Sequence, residues 1–133
     1  KSGIEMVKSK FESTKLGNQV YWFNESKLSR KETSTAAYLL PNYDEYVVGY
    51  TDRSAIFDNS HNQKLDLRGN VLFQNTIVID GRVAGTWKRT LKKSEVVVEL
   101  TLFTKLTKSE NDAVIGAAER FGKFLELSIS LNL

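Results

Sequence analysis

The order of apolar and polar positions is uneven in clarity along the chain, ambiguous in its first half and sharp in its second. Near the start, Ile4, Val7, Lys8 and Phe11 fall close to a 3.6-residue spacing. That spacing predicts a helix leaving through Lys15-Leu16-Gly17-Asn18, with Gly17 available for a left-handed cap. A β-rich run follows from Gln19 to Phe23, and residues 27–35 are polar enough to read as a loop or short turn. Ala36 to Leu40 is apolar throughout and predicts a buried strand; Pro41 then stops any helix and holds Leu40 extended. Tyr43 to Tyr50 predicts a short helix with Tyr43, Tyr46, Val47 and Tyr50 on one side. Ser54 to Phe57 forms a second apolar cluster, and residues 58–70 read as an irregular loop.

From residue 76 the pattern is far more definite. Thr76 to Ile79, then Asp80-Gly81, then Arg82 to Thr90 reads as a hairpin, because Asp-Gly supplies the positive φ angles of a tight type I′ turn. Pairing then sets Val78 against Val83 and Thr76 against Gly85. A second turn at Lys92-Lys93 returns the chain through Ser94 to Phe103, placing Trp87 opposite Val98 and Arg89 opposite Val96. Val96, Val98, Leu100 and Leu102 share one face, while Glu95, Glu99 and Thr101 share the other. Ser109 is the expected cap of a helix, with Asp112 as its third residue and Val114, Ala117, Ala118, Phe121, Phe124 and Leu125 as its apolar stripe. Leu127 to Leu133 alternates without interruption and predicts a half-buried strand.

Composition narrows the classes. The 133 residues suit one domain, or one domain with part of a neighbour. With 41% hydrophobic and 26% charged residues, the balance is that of a globular protein. No stretch approaches the ~20 apolar residues of a membrane helix, and the expected location is cytoplasmic. The chain begins at Lys1 with no apolar run behind it, and reads as a fragment whose natural start lies upstream. The absence of cysteine excludes a disulfide framework, a thiolate metal site and a cysteine nucleophile.

Charge is distributed unequally. The net +3 resides entirely in residues 67–133, and the window 81–108 sets Arg82, Lys88, Arg89, Lys92, Lys93, Lys105 and Lys108 against only Glu95 and Glu99. Such an excess attracts phosphates; Lys88, Arg89, Lys92 and Lys93 are expected to crowd the tip of the second hairpin, and a protruding basic β-ribbon is one way of tracking phosphates. A solvated, lysine-rich strand face carries the same composition.

Catalytic signals are sparse. His61 is the single histidine, which excludes a two-histidine metal site and leaves it as a surface residue or a lone imidazole base. Asp44, Glu45 and Asp52, beside Arg53, read as an ion-pair network more readily than as an acid–base pair. Gly81 and Gly85 belong to a turn and a close backbone approach rather than a phosphate loop. Tyr21, Trp22 and Phe23 are aromatic enough for base stacking, although core packing is the ordinary use. Asn24-Glu25-Ser26 matches a glycosylation sequon only in pattern. No metal or cofactor is expected.

Three separated segments carry a resemblance. Leu39-Leu40-Pro41-Asn42-Tyr43-Asp44-Glu45-Tyr46, Tyr50-Thr51-Asp52-Arg53 and Ile79-Asp80-Gly81-Arg82-Val83-Ala84-Gly85-Thr86-Trp87-Lys88 resemble, in order and spacing, the C-terminal signature of a bacterial winged-helix DNA-binding family. That family includes the DNA glycosylases that unhook interstrand crosslinks. Its pattern runs Leu-Leu-Pro-x-aromatic-Asp, then an Asp-Arg pair, then apolar-Asp-Gly-x-Val-x-Gly-x-Trp, with Tyr43 here where Phe is frequent. The resemblance implies tandem winged helices followed by a β-barrel-like domain, together cradling double-stranded DNA. In the glycosylase members the catalytic glutamine-containing motif lies in the N-terminal winged-helix region, so no catalytic residue transfers to this chain. Pro41, Asp44, Arg53, Asp80, Gly81, Gly85 and Trp87 match the motif with roles that are structural, among them an Asp44–Arg53 pair pinning the central helix.

The expectation is therefore an α+β fold: a mainly antiparallel β-sheet curled into a partial barrel, with an N-terminal helix and a capped C-terminal helix. Residues 1–30 would be the tail of a preceding winged-helix region and residues 31–133 the C-terminal domain. Its function would be to contact DNA backbone through Arg82, Lys88, Arg89, Lys92, Lys93 and Lys105. The alternatives are a positioning domain of a glycosylase whose catalytic motif lies upstream, and a scaffold domain that touches no DNA.

Overall fold

The computed structural model describes residues 2–24, 35–57 and 74–132. His61, the loop at 58–70 and the sequon's Glu25-Ser26 lie outside them. The chain divides into two compact units, Lys1–Thr33 and Ser34–Leu133.

The first unit corrects the opening expectation. Helix α1 spans Ser2–Val7 and continues as a single 3-10 turn over Lys8–Lys10, then stops. Strands β1 (Glu12–Leu16) and β2 (Gln19–Phe23) follow as an antiparallel hairpin. Gly17, at φ 60°, is the first residue of the hairpin's turn and not a helix cap. Helical spacing in so short a stretch stabilises little, whereas Tyr21, Trp22 and Phe23 favour extended backbone and draw Ser13 and Thr14 into pairing with them. The Lys8 ammonium sits 5.2 Å from the centre of the Trp22 ring, and Lys8 also pairs with Glu5.

The second unit is built on a five-stranded sheet in the order β3 (Ala37–Leu40), β4 (Asn75–Ile79), β5 (Arg82–Leu91), β6 (Glu95–Leu102), β7 (Ser128–Asn132). All pairs are antiparallel except β6–β7. A parallel pair needs a crossover, and helix α3 (Lys108–Leu125) provides it. The sheet is curled into a half-barrel, and the α+β expectation holds.

The strand alternation places Ile77, Ile79, Trp87, Val96, Val98 and Leu100 on one face, against Val114 and Ala117 of α3. Opposite lies a smaller cluster of Val78, Val83 and Phe103, joined by Leu40 and by Phe57 of the apolar run seen in the sequence. Ala37 is buried, but β3 is an edge strand and Tyr38 is exposed, so that segment is half covered. Helix α2 is a single turn, Glu45–Val48; of the four residues expected on one side, only Val47 is buried.

Both hairpin registers depart from the simplest pairing. At Asp80-Gly81, with φ of 47° and 80°, the turn forms as expected and Val78 faces Val83. Ile77, not Thr76, then faces Gly85, because the register shifts and Ala84 is left without a partner on β4. This bulge adds twist and bends the strand. At the second turn the chain reverses through Lys93 and Ser94, with Lys92 N–H bonded to the Glu95 carbonyl. Trp87 therefore faces Leu100 and Arg89 faces Val98, two residues on from the expected register. A two-residue slip preserves every side chain's face, so the apolar face of β6 is as expected.

The cap of α3 is Thr107, two residues before the expected Ser109. Thr107 Oγ1 accepts from Glu110 N–H at 3.3 Å, and Glu110 Oε2 accepts from Thr107 N–H at 2.7 Å. Glutamate has the reach for this reciprocal pair and Asp112 is too short. The Thr107 N–H, and with it the Thr107 hydroxyl at 2.8 Å, donate to the Glu110 carboxyl and hold it below its ordinary 4.5. Phe124, assigned to the apolar stripe, is 81% exposed; Gly122 takes its place inside, close to Leu127 and Ile129 of the returning chain.

Candidate nucleic-acid interface

The three motif segments converge on one framework. Asp44 accepts from Tyr46 N–H and so caps α2, while Arg53 Nε donates to the Val47 carbonyl at 2.7 Å at the helix's other end. The two do not form an ion pair; each fixes α2 through its backbone. Asp52 likewise accepts from Ser54 N–H, so the acids here order backbone. Tyr46 Oη donates to the Gly81 carbonyl at 2.7 Å, tying α2 to the first turn. Asp80 accepts from Ala36 N–H through its carboxylate and returns its own N–H to the Ala36 carbonyl, which anchors the start of β3.

Trp87 is the centre of this framework. It is 3% exposed, its ring meets Phe121 edge-on at 5.3 Å, and its Nε1–H donates to the Leu40 carbonyl at 2.9 Å, just before Pro41. Gly85 leaves no room for a side chain against β6: a Cβ there would stand 2.5 Å from the Thr101 carbonyl oxygen. Asn75 adds a clamp that the motif does not include. Its carboxamide accepts from Asn42 N–H at 2.9 Å and donates to the Trp87 carbonyl at 3.2 Å. The available signal was an asparagine, a poor strand former, directly before the apolar run 76–79.

The six basic residues do not form one patch. Arg82 opens the ten-residue β5 and Lys92 lies just beyond its end, a separation of roughly 30 Å at about 3.3 Å per residue. Lys105 follows Phe103, whose N–H bonds to the Ala84 carbonyl, so it belongs to the Arg82 end. Lys88 and Arg89 lie in the body of the hairpin rather than at its tip, opposite Glu99 and Val98. Being adjacent in a strand, they leave it on opposite faces. The Arg89 guanidinium lies 6.0 Å from the Trp87 ring centre and 5.9 Å from that of Phe121. At the tip, Lys92 is held by Glu95 at 2.6 Å and Lys93 is exposed. Among the described residues, Lys88, Arg89, Lys93, Arg82 and Lys105 make no ion pair.

Tyr21 and Phe23 are exposed, and Trp22 is half-buried under Lys8. Among the described residues no cluster of acidic or histidine side chains is arranged to hold a metal ion. None of the described helices is long and apolar enough to cross a membrane.

A curled sheet closed by a crossover helix is thus pinned by motif residues from three segments. The DNA glycosylase AlkZ-like family model matches residues 3–124, and the chain belongs to that family. Its fold is similar to that of Streptomyces sahachiroi DNA glycosylase AlkZ, with a TM-score of 0.63 at 17% identity. The alignment covers 96% of this chain and 35% of that one, so the chain spans about a third of the length of the solved relative. No curated protein sequence is significantly similar.

Proposed function

We propose that this chain is the C-terminal positioning portion of a DNA glycosylase whose catalytic motif lies upstream, and that it holds duplex DNA by its backbone. The observation that carries the reading is the family match along almost the whole chain. Five cations free of ion pairs among the described residues support it, because phosphate contacts set register and orientation without requiring base readout. The wide spacing of those cations favours several separate phosphate contacts over a single gripping ribbon. Residues 1–30, whose described part is a short helix followed by a hairpin, are in this reading the tail of a winged-helix region, and the protein works in the cytoplasm.

A positioning role separates cleanly from a catalytic one in kinetics. In the parent protein, the Lys88→Glu, Lys93→Glu double variant is expected to raise KM for a crosslinked duplex about tenfold or more while leaving kcat within twofold, since uniform binding is what it removes. A fall in kcat at unchanged KM would refute the positioning role. The upstream sequence gives an independent check: a glutamine-x-glutamine or glutamine-x-aspartate motif is expected there.

A further inference from the structure

A cleft of about 470 Å³ opens where the start of β4 passes β5, remote from the hairpin tip. Its walls are fixed. The Asn75 carboxamide bonds to Asn42 on one rim and to the Trp87 carbonyl on the other. Trp87 itself is a buried wall with its N–H already committed to Leu40, so it offers no face for a base to stack on.

What remains in the cleft is a set of hydrogen-bond donors. Lys88 and Arg89 line it, together with Thr86, Asn42 and Gln74; among the described residues no acidic one does. Glu99, the acid facing Lys88 across the sheet, is not within ion-pair distance of it. Arg89 is held over two aromatic rings, which limits the rotamer freedom it would lose on meeting an anion. Two cations, neutral donors and no stacking surface favour a small anion with polar surroundings over a nucleobase.

We propose that this cleft holds one phosphodiester of a DNA strand against the edge of β5 just past its last partner on β4, where Lys88 from one face and Arg89 from the other reach its oxygens, with Asn42 and Gln74 donating to the phosphate or the adjoining sugar. The inference rests on the positioning reading and sharpens it, moving the principal contact from the hairpin tip to the middle of β5. A free nucleotide presents the same phosphate chemistry, and the test separates the two.

The experiment is fluorescence anisotropy of the chain with a short labelled duplex in a salt series. Lys88→Gln and Lys93→Gln remove the same charge, so a diffuse field treats them alike and the cleft does not. Lys88→Gln is expected to weaken binding roughly tenfold at low salt and to make the log–log salt slope shallower by about 0.9, the share of one phosphate. Lys93→Gln is expected to cost less than roughly threefold. Gln74→Ala, which changes no charge, is expected to cost roughly threefold at an unchanged slope, and Lys88→Arg to retain binding. Equal losses for the two lysine variants, or no effect of Gln74→Ala, would overturn the cleft while leaving DNA binding intact. Absence of binding by the unaltered chain would remove the positioning reading itself. A deoxynucleoside monophosphate that displaces the duplex at matched phosphate concentration would assign the cleft to a free nucleotide and overturn the backbone assignment.

Discussion

Replacing Trp87 with phenylalanine tests whether the family motif is a structural framework. The indole is buried, and its N–H is bonded to the Leu40 carbonyl at the point where β3 ends. Phenylalanine retains much of the edge contact to Phe121 but cannot make that bond. Removing a buried donor costs about 1–2 kcal/mol through the acceptor left behind. The smaller ring also leaves a void of a few tens of Å³, worth about 1 kcal/mol at roughly 24 cal/mol per Å³. The expected loss is about 2–3 kcal/mol, or roughly 10–20 °C in Tm for a unit of about 100 residues. Chemical denaturation followed by far-UV circular dichroism measures it. Trp22→Phe is the internal control: Trp22 belongs to the first unit and is not buried, so the change is expected within about 0.5 kcal/mol. A Trp87→Phe loss below about 1 kcal/mol would mean that the indole bond and its packing do not hold the framework together.

Three further outcomes follow from the same geometry. Gly85→Ala drives a Cβ to within 2.5 Å of the Thr101 carbonyl, and is expected to cost about 2–3 kcal/mol in a urea melt as β5 and β6 are forced apart. Thr107→Ala removes the cap of α3 and should cost about 1 kcal/mol. The Thr107 N–H, which alanine keeps, and the Thr107 hydroxyl, which it removes, together hold the Glu110 carboxyl below 4.5. The stabilising contribution of Glu110 is therefore present above its unfolded value and is lost as pH falls through the lower, folded one; urea melts down through the carboxylate range should show an acid loss in Thr107→Ala that is smaller than in the parent by the hydroxyl's share. Glu126→Gly relieves a non-glycine residue at φ 56° at the end of α3, and is expected to raise stability by about 0.5–1 kcal/mol, read as a higher Tm.

The parts of the fold legible in the sequence are those where one local signal suffices. Asp80-Gly81 dictates its own turn, the valines and leucines of β6 declare one buried face, and the α3 stripe appears in the spacing of Val114, Ala117 and Ala118. Registers were less accessible, since they depend on single residues. Ala84 enters β5 as a bulge without disturbing the apolar pattern, and the second turn centres on Lys93-Ser94 although Lys92-Lys93 looks equally suitable. At the N-terminus two periodicities competed over a few residues, and cross-strand pairing with Tyr21 and Trp22 prevailed.

The candidate site shows the same division. The list of cations was legible, but their arrangement depends on register and on tertiary bonds. Moving the turn by one residue takes Lys88 and Arg89 away from the tip, and the pairing of Lys92 with Glu95 appears only once that turn is known. Asn42, Gln74 and Asn75 carry no motif, and only the folded chain brings them beside Lys88. The aromatic motif residue Trp87 was correctly read as core, for which its position on the apolar face of β5 was sufficient.

The central claim is that the chain engages DNA through separate phosphate contacts. The most direct test is the salt dependence of its binding to a short duplex, followed by fluorescence anisotropy from low to physiological ionic strength. The account predicts sequence-independent binding whose log–log slope corresponds to two or more phosphates, at about 0.9 for each, and which Lys92→Gln barely changes, since that side chain is already held by Glu95. Absence of binding at low salt, or binding indifferent to salt, would contradict it.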